Sequence, residues 1–175
     1  MAEAAANNVN NENLSEEEDV EIQGADFFRC RFYRERVPAE GTKVKVETTE
    51  VKDLGANVRL LEYGGIEGFI QMNQVSTKRV RSVQKFLKIG RREMMEVLRV
   101  DEKKMYIDLG KKNLMHDDLE EADRRWKKSK KVHEIMFEVG MKLKTPIEPL
   151  YEAWGWDLYD NCGFEHALDA MRVAM

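Results

Sequence analysis

The sequence predicts an all-β unit followed by an all-α unit, a five-stranded barrel and then a small helical domain. Three observations carry this. Between Gly41 and Leu109, apolar residues recur at every second position in five short runs. A longer charged segment separates the third run from the fourth, which is the spacing of an OB-type Greek-key barrel. From about residue 115 onward the apolar period lengthens to that of a helix.

Composition sets the outer limits. The chain has 175 residues, of which 35% are charged, and a formal net charge of -4. Its mean hydropathy is -0.61. No run of about 18 apolar residues is present, so no membrane span is expected. The N-terminus lacks the basic start and apolar core of a secretion signal. Cys30 and Cys162 are therefore expected as reduced thiols in a cytoplasmic protein. Residues 1–26 carry eight acids and no Lys or Arg, which leaves +4 for the remainder. So acidic a segment, poor in large apolar groups, is expected to be a disordered tail.

Phe27 to Pro38 mixes aromatics with arginine and reads as an extended lead-in packing on the domain that follows. Val44 and Val46 face inward from the first strand. Asp53-Leu54-Gly55 is a turn, and Ala56, Val58 and Leu60 line the second strand. Gly64-Gly65 turns into a third strand, where Ile66, Gly68 and Ile70 point one way. Val80, Val83, Phe86 and Leu87 suggest a helical turn pinned to the core, ended by Gly90. Glu93–Val100 and Met105–Leu109 are the fourth and fifth strands, joined by a tight charged turn.

In the helical part, Asp117 and Asp118 are placed to favour a helix start. Leu119, Ala122, Trp126, Val132, Met136, Val139 and Leu143 mark the inward face. Arg124, Arg125, Lys127, Lys128, Lys130 and Lys131 mark the opposite one, read either as phosphate contacts or as a solvated face. Thr145-Pro146 and Pro149 stop the helix. Leu150, Trp154 and Leu158 suggest a second helix, and Phe164, Leu168, Met171 and Met175 a third. Trp126, Trp154 and Trp156 are expected in the core.

Catalytic chemistry is not visible. His116, His133 and His166 share no metal-ligand spacing, and no nucleotide-cradling or nucleophile-elbow motif occurs. Glu62 and Glu67 flank a turn without an evident pocket, so they are not read as a catalytic pair. No catalytic residue, metal or cofactor is expected.

Charge is concentrated instead between Gly68 and Arg92. This stretch holds Lys78, Arg79, Arg81, Lys85, Lys88, Arg91 and Arg92 and no acid. Ser76 and Thr77 precede the cations, and Ser82 sits among them. Such a segment reads as a loop that touches phosphate, on a nucleic acid or attached to the loop itself; a solvated charged loop is the plainer alternative.

The runs CRFY, LLEYGGIEGFI, STKRVRSVQKFLKIG and RVDEKKMYIDL resemble the alpha subunit of eukaryotic translation initiation factor 2, and the glycine-anchored strands resemble an S1 domain. The resemblance runs from about Cys30 to the end of the chain. It implies an S1-type OB barrel over 27–113 with a basic loop at 72–90, after the acidic tail of 1–26. It implies a helical domain over 114–175 that ordinarily continues past Met175, with an α/β domain beyond. The implied function is that of a non-catalytic regulatory subunit in initiator-tRNA delivery. Its partners would be a GTP-binding subunit and the other subunits of the factor, initiator tRNA, messenger RNA, the small ribosomal subunit, a guanine-nucleotide exchange factor and a regulatory protein kinase.

By resemblance, Ser76 is the phosphorylation site, with Thr77 and Ser82 as local competitors. Arg79, with Lys78 and Arg81, contacts RNA near the start codon. Lys104, Met105, Tyr106, Ile107 and Asp108 form the kinase-docking strand, where the family carries glycine at the position of Met105. Two other readings stay open: a generic S1 RNA-binding accessory protein, and a decoy of the initiation-factor kinases.

Overall fold

The structure is a computed structural model and describes residues 30–78, 82–101, 103–160 and 166–174. The expected strands form. They are β1 (Lys43–Lys52), β2 (Gly55–Leu60), β3 (Glu67–Gln71), β4 (Arg92–Asp101) and β5 (Tyr106–Gly110). They close into a barrel in the order β1-β2-β3-β5-β4. All neighbours are antiparallel except β3 and β5, which meet in parallel through Phe69↔Asp108 and Ile70↔Leu109.

Two irregularities let long strands turn the barrel's corners. β1 shifts register between Thr48 and Glu50, and β4 between Val97 and Arg99. Val44, Val46, Ala56, Val58, Leu60, Ile70, Met95, Val97, Ile107 and Leu109 fill the interior. Each large apolar side chain buried this way stabilises the fold by about 1.5–3 kcal/mol before entropy is counted. Gly68 faces the same interior, where a Cβ would lie 2.8 Å from Leu109 Cδ1 and 3.0 Å from Leu60 Cδ1. The turn before β3 has φ of 68° at Gly64 and 79° at Gly65, a left-handed pair that suits glycine.

After the barrel comes α1 (His116–Leu143), then α2 (Ile147–Leu150), a π turn (Tyr151–Gly155), α3 (Asp157–Asp160) and α4 (Ala167–Ala174). Asp117 and Asp118 lie in the first turn of α1, but Met115 holds the N-cap and no side chain bonds there. The helix closes on Lys144 at a φ of 52°, and Pro146 precedes the next turn. Ala122, Ser129, Val132, Met136 and Gly140 form its buried line.

Several expected inward residues fall elsewhere. Leu143, the last residue of its helix, is 60% exposed, and Phe86 and Trp154 are also exposed. Trp126 is half-buried, and Trp156 joins the helical core. Phe164 and Met175 lie outside the described residues, as does Cys162.

The lead-in does not pack on the barrel alone. Cys30 belongs to the helical core, and Phe32 stacks on Trp126 of α1 at 5.5 Å between ring centres. Tyr33 touches both Tyr63 of the barrel side and Tyr159 of the helices. Arg31 reaches Glu148 at 2.7 Å, and Arg34 reaches Asp157 and Asp160. Residues 30–34 are thus the seam between the two units.

Candidate nucleic-acid interface

The basic segment leaves β3 through a 3-10 turn (Met72–Gln74) and returns through another (Val83–Lys85). Apolar anchors hold both ends. Val75 is 4% exposed, and Val83 and Leu87 are buried in the barrel core. Lys111 N–H donates to Gln74 O at 2.8 Å, tying the outgoing end to the exit of β5. Gly90 N–H donates to Thr48 O at 2.7 Å on the return.

Between the anchors, Ser76 is half-buried and its Oγ accepts from Lys78 N–H at 3.2 Å. This is a local hydroxyl–backbone turn. Thr77 and Lys78 are exposed, and Ser82 is half-buried. Arg79 and Arg81 lie outside the described residues. The remaining cations divide into two sets. Arg91 pairs with Glu93, and Arg92 with Glu47. Lys78, Lys85 and Lys88 are exposed and have no acidic partner among the described residues.

The helix cations are largely engaged within the chain. Arg125 donates to Lys43 O, Lys128 pairs with Asp169 at 2.7 Å, and Lys127 pairs with Asp123 at 2.7 Å. Lys130 and Lys131 share Glu134. The solvated and structural reading therefore fits most of that face better than a phosphate track.

The outer barrel face, where OB folds commonly stack bases, mixes carboxylates with the cations that pair them. Asn57 is bonded to Glu50 at 2.9 Å, and its cross-strand neighbour Phe69 lies over Gly55. Asp108 sits beside Phe69, and Glu47 lies between Arg59 and Arg92. A nucleic acid would meet ion-paired side chains on this face and, on the loop, lysines with no acidic partner among the described residues.

In the stretch 104–108, Lys104, Met105 and Tyr106 are exposed, Asp108 is half-buried and Ile107 points into the barrel. Met105 takes a φ of 50°, a left-handed conformation that disfavours any Cβ. A glycine fits this turn without strain, so Met105→Gly is expected to stabilise the chain by about 1 kcal/mol. Urea unfolding of both proteins checks this, and a loss of stability would show that the Met105 side chain outweighs its backbone strain.

One site escaped the sequence reading. Glu62 is fully buried, with Oε2 accepting from Lys45 N–H at 3.0 Å and Oε1 from Tyr33 Oη at 3.1 Å. Tyr33 Oη lies 3.0 Å from Ser129 Oγ, which lies 3.0 Å from His166 Nε2. Leu168 N–H donates to His166 Nδ1, so the neutral ring carries its proton on Nε2 and donates to Ser129. Protons then point one way along the row, from His166 through Ser129 and Tyr33 to Glu62. The signal was parity, because Glu62 continues the inward series of Ala56, Val58 and Leu60.

Burial dominates the electrostatics of the seam. It raises the carboxyl of Glu62 and the phenol of Tyr33 above their usual ranges and pushes the Cys30 thiol up to about 12. It also lowers His166, helped by Lys128, and takes His133 down to about 4. Cys30 at neutral pH is an inert thiol. Among the described residues, no group of three or more His, Cys, Asp or Glu is placed to hold a metal ion. No helix among them is long and apolar enough to cross a membrane.

Comparison with known proteins fits this geometry. Residues 37–112 match the S1 RNA-binding domain. The chain is 40% identical over 150 residues to eukaryotic translation initiation factor 2 subunit 1 of Plasmodium falciparum, covering 86% of this chain and 45% of that protein. It is 41% identical over 144 residues to the alpha-subunit homologue of Arabidopsis thaliana, covering 82% and 41%. The chain thus spans less than half the length of these curated relatives. The intact alpha subunit of the archaeal factor from Pyrococcus abyssi shares the fold, with a TM-score of 0.71 at 24% identity over 80% of this chain and 53% of that one. The Pyrococcus horikoshii alpha subunit, from a complex with Dim2p and rRNA, superposes with a TM-score of 0.59 at 28% identity, covering 68% and 76%. By sequence the chain resembles alpha subunits of translation initiation factor 2 over less than half their length, and its barrel matches the S1 RNA-binding domain over residues 37–112.

Proposed function

We propose that this chain is the RNA-contacting and regulatory portion of a non-catalytic initiation-factor subunit. The observation that carries the reading is the anchored loop, which holds Lys78, Lys85 and Lys88 exposed without acidic partners among the described residues. The relatives and the archaeal alpha subunit found in a complex with Dim2p and rRNA support an RNA partner. In this reading the cytoplasmic factor's other subunits supply GTP chemistry, and the assembly carries initiator tRNA to the small ribosomal subunit and messenger RNA. Arg79, with Lys78 and Arg81 beside it, contacts RNA. Arginine's planar fork suits phosphate and base edges. Arg79→Ala is expected to relax start-site discrimination in a reconstituted initiation assay without unfolding the barrel.

Ser76 is the proposed phosphorylation site. A phosphate adds about -1.5 to -2 charges and can draw Lys78, Arg79 and Arg81 into charge-assisted bonds. That change would turn the factor from a client of its exchange factor into a blocker. The hydroxyl first has to leave Lys78 N–H, so the kinase must open this turn while it docks on Lys104, Met105 and Tyr106. Incubation with such a kinase and peptide mapping should place phosphate on residue 76. Equal incorporation into Ser76→Ala would move the site to Thr77 or Ser82.

A further inference from the structure

A groove of about 300 Å3 runs between the outer face of β2 and β4 and the side of α1. It lies at the small end of ligand pockets, large enough for one nucleotide and too small for a duplex. Its wall is an aromatic pile. Trp126 is half-buried and stacked on Phe32 with 18° between the rings, and Phe32 meets His133 at 4.7 Å. A ring held this way is a ready stacking surface that loses little freedom when a base covers it.

Cations stand at the rim. Arg59 and Arg92 share the single carboxylate of Glu47, at 3.1 and 2.8 Å, which leaves one positive charge over. Lys130 stands 3.6 Å from Glu134 across a loose pair. The side chains of Arg59, Arg92 and Lys130 are 41%, 59% and 54% exposed, so each can turn toward an incoming phosphate. Position also matters. Arg92 is the last cation of the basic segment and lines the groove, and Arg59 projects from a barrel strand that OB folds use for nucleic acids.

We propose that this groove holds one nucleotide of single-stranded RNA, with its base on Trp126 and its phosphate on Arg59, Arg92 and Lys130. The proposal rests on the RNA-contacting reading above and adds a second station to the strand held by the loop. It explains how an S1 barrel whose central face offers only Phe69, packed over Gly55, can still grip a base.

The test uses the full chain at low salt with a labelled single-stranded RNA of about twelve nucleotides, read by anisotropy. A 5-iodouridine version is used for photocrosslinking. Crosslinking to Trp126 is expected. Trp126→Leu should bind about 5- to 150-fold more weakly, while Trp126→Phe, which keeps a ring, stays near wild type. Arg92→Ala with Lys130→Ala should flatten the plot of log affinity against log salt by about 0.7, the share of one phosphate contact. If these groove variants bind as wild type while Lys78→Ala, Lys85→Ala and Lys88→Ala together weaken binding, RNA uses the loop alone and the groove proposal falls. If wild type binds no RNA, the underlying reading falls with it. Crosslinks confined to residues outside the groove, with none on Trp126, would place the RNA elsewhere and overturn the proposal.

Discussion

Acidification from about pH 7 to about pH 4 is expected to remove about 3 kcal/mol of stability through His133 alone. The ring lies between Phe32 and Tyr151, with Nδ1 3.1 Å from the Tyr151 hydroxyl. Burial takes its pKa from 6.5 to about 4. Within that window the unfolded chain holds a proton that the folded chain refuses, so unfolding gains ground as pH falls. The contribution is complete above about pH 6.5 and is lost as pH falls through about 4. His166 acts in the same direction. Glu62 opposes them, because its raised pKa favours the fold at low pH and the benefit fades as pH rises through the folded value. Urea unfolding at several pH values, for wild type and His133→Gln, isolates the ring. The variant should lose less stability on acidification, and parallel curves for the two proteins would refute the assignment.

The second large effect concerns the one-way proton row. Tyr33→Phe removes the donor to Glu62 Oε1 and the neighbour of Ser129 Oγ in one step. A buried carboxylate would then keep only the Lys45 N–H. A lost hydrogen bond to a charged group plus an orphaned hydroxyl amounts to about 3 kcal/mol. Because the members act as a unit, adding Ser129→Ala to Tyr33→Phe should cost much less than the two single losses together. A loss under about 1 kcal/mol for Tyr33→Phe would mean that water replaces the hydroxyl and the row is not a structural tie.

The strands were legible because alternation is local. Val44 and Val46, or Ala56, Val58 and Leu60, declare an inward face within a few residues. The helix face was only partly legible. Its buried line includes Ser129 and Gly140, small residues chosen for a hydrogen bond and for close approach, and hydrophobic period alone passes over them. The seam was not legible. Tyr33 meets Ser129 across 96 positions and Arg31 meets Glu148 across 117, distances at which no periodicity survives. The pairing state of the basic residues was hidden for the same reason. Nothing local to Arg92 marks its carboxylate, since Glu47 lies 45 positions away.

The seam also sets an order of events in time. Residues 30–34 are synthesised before both the barrel and the helices, yet Arg34 finds Asp160 only across 126 positions. The barrel's neighbouring strands pair over far shorter loops and can close while the helices are still unmade. During synthesis Cys30, Phe32 and Tyr33 must therefore wait, unburied, until α1 and the segments after it emerge. The last contact to form is made by the first part of the described chain, and delayed emergence of the helices leaves that aromatic segment as the one open to misassociation.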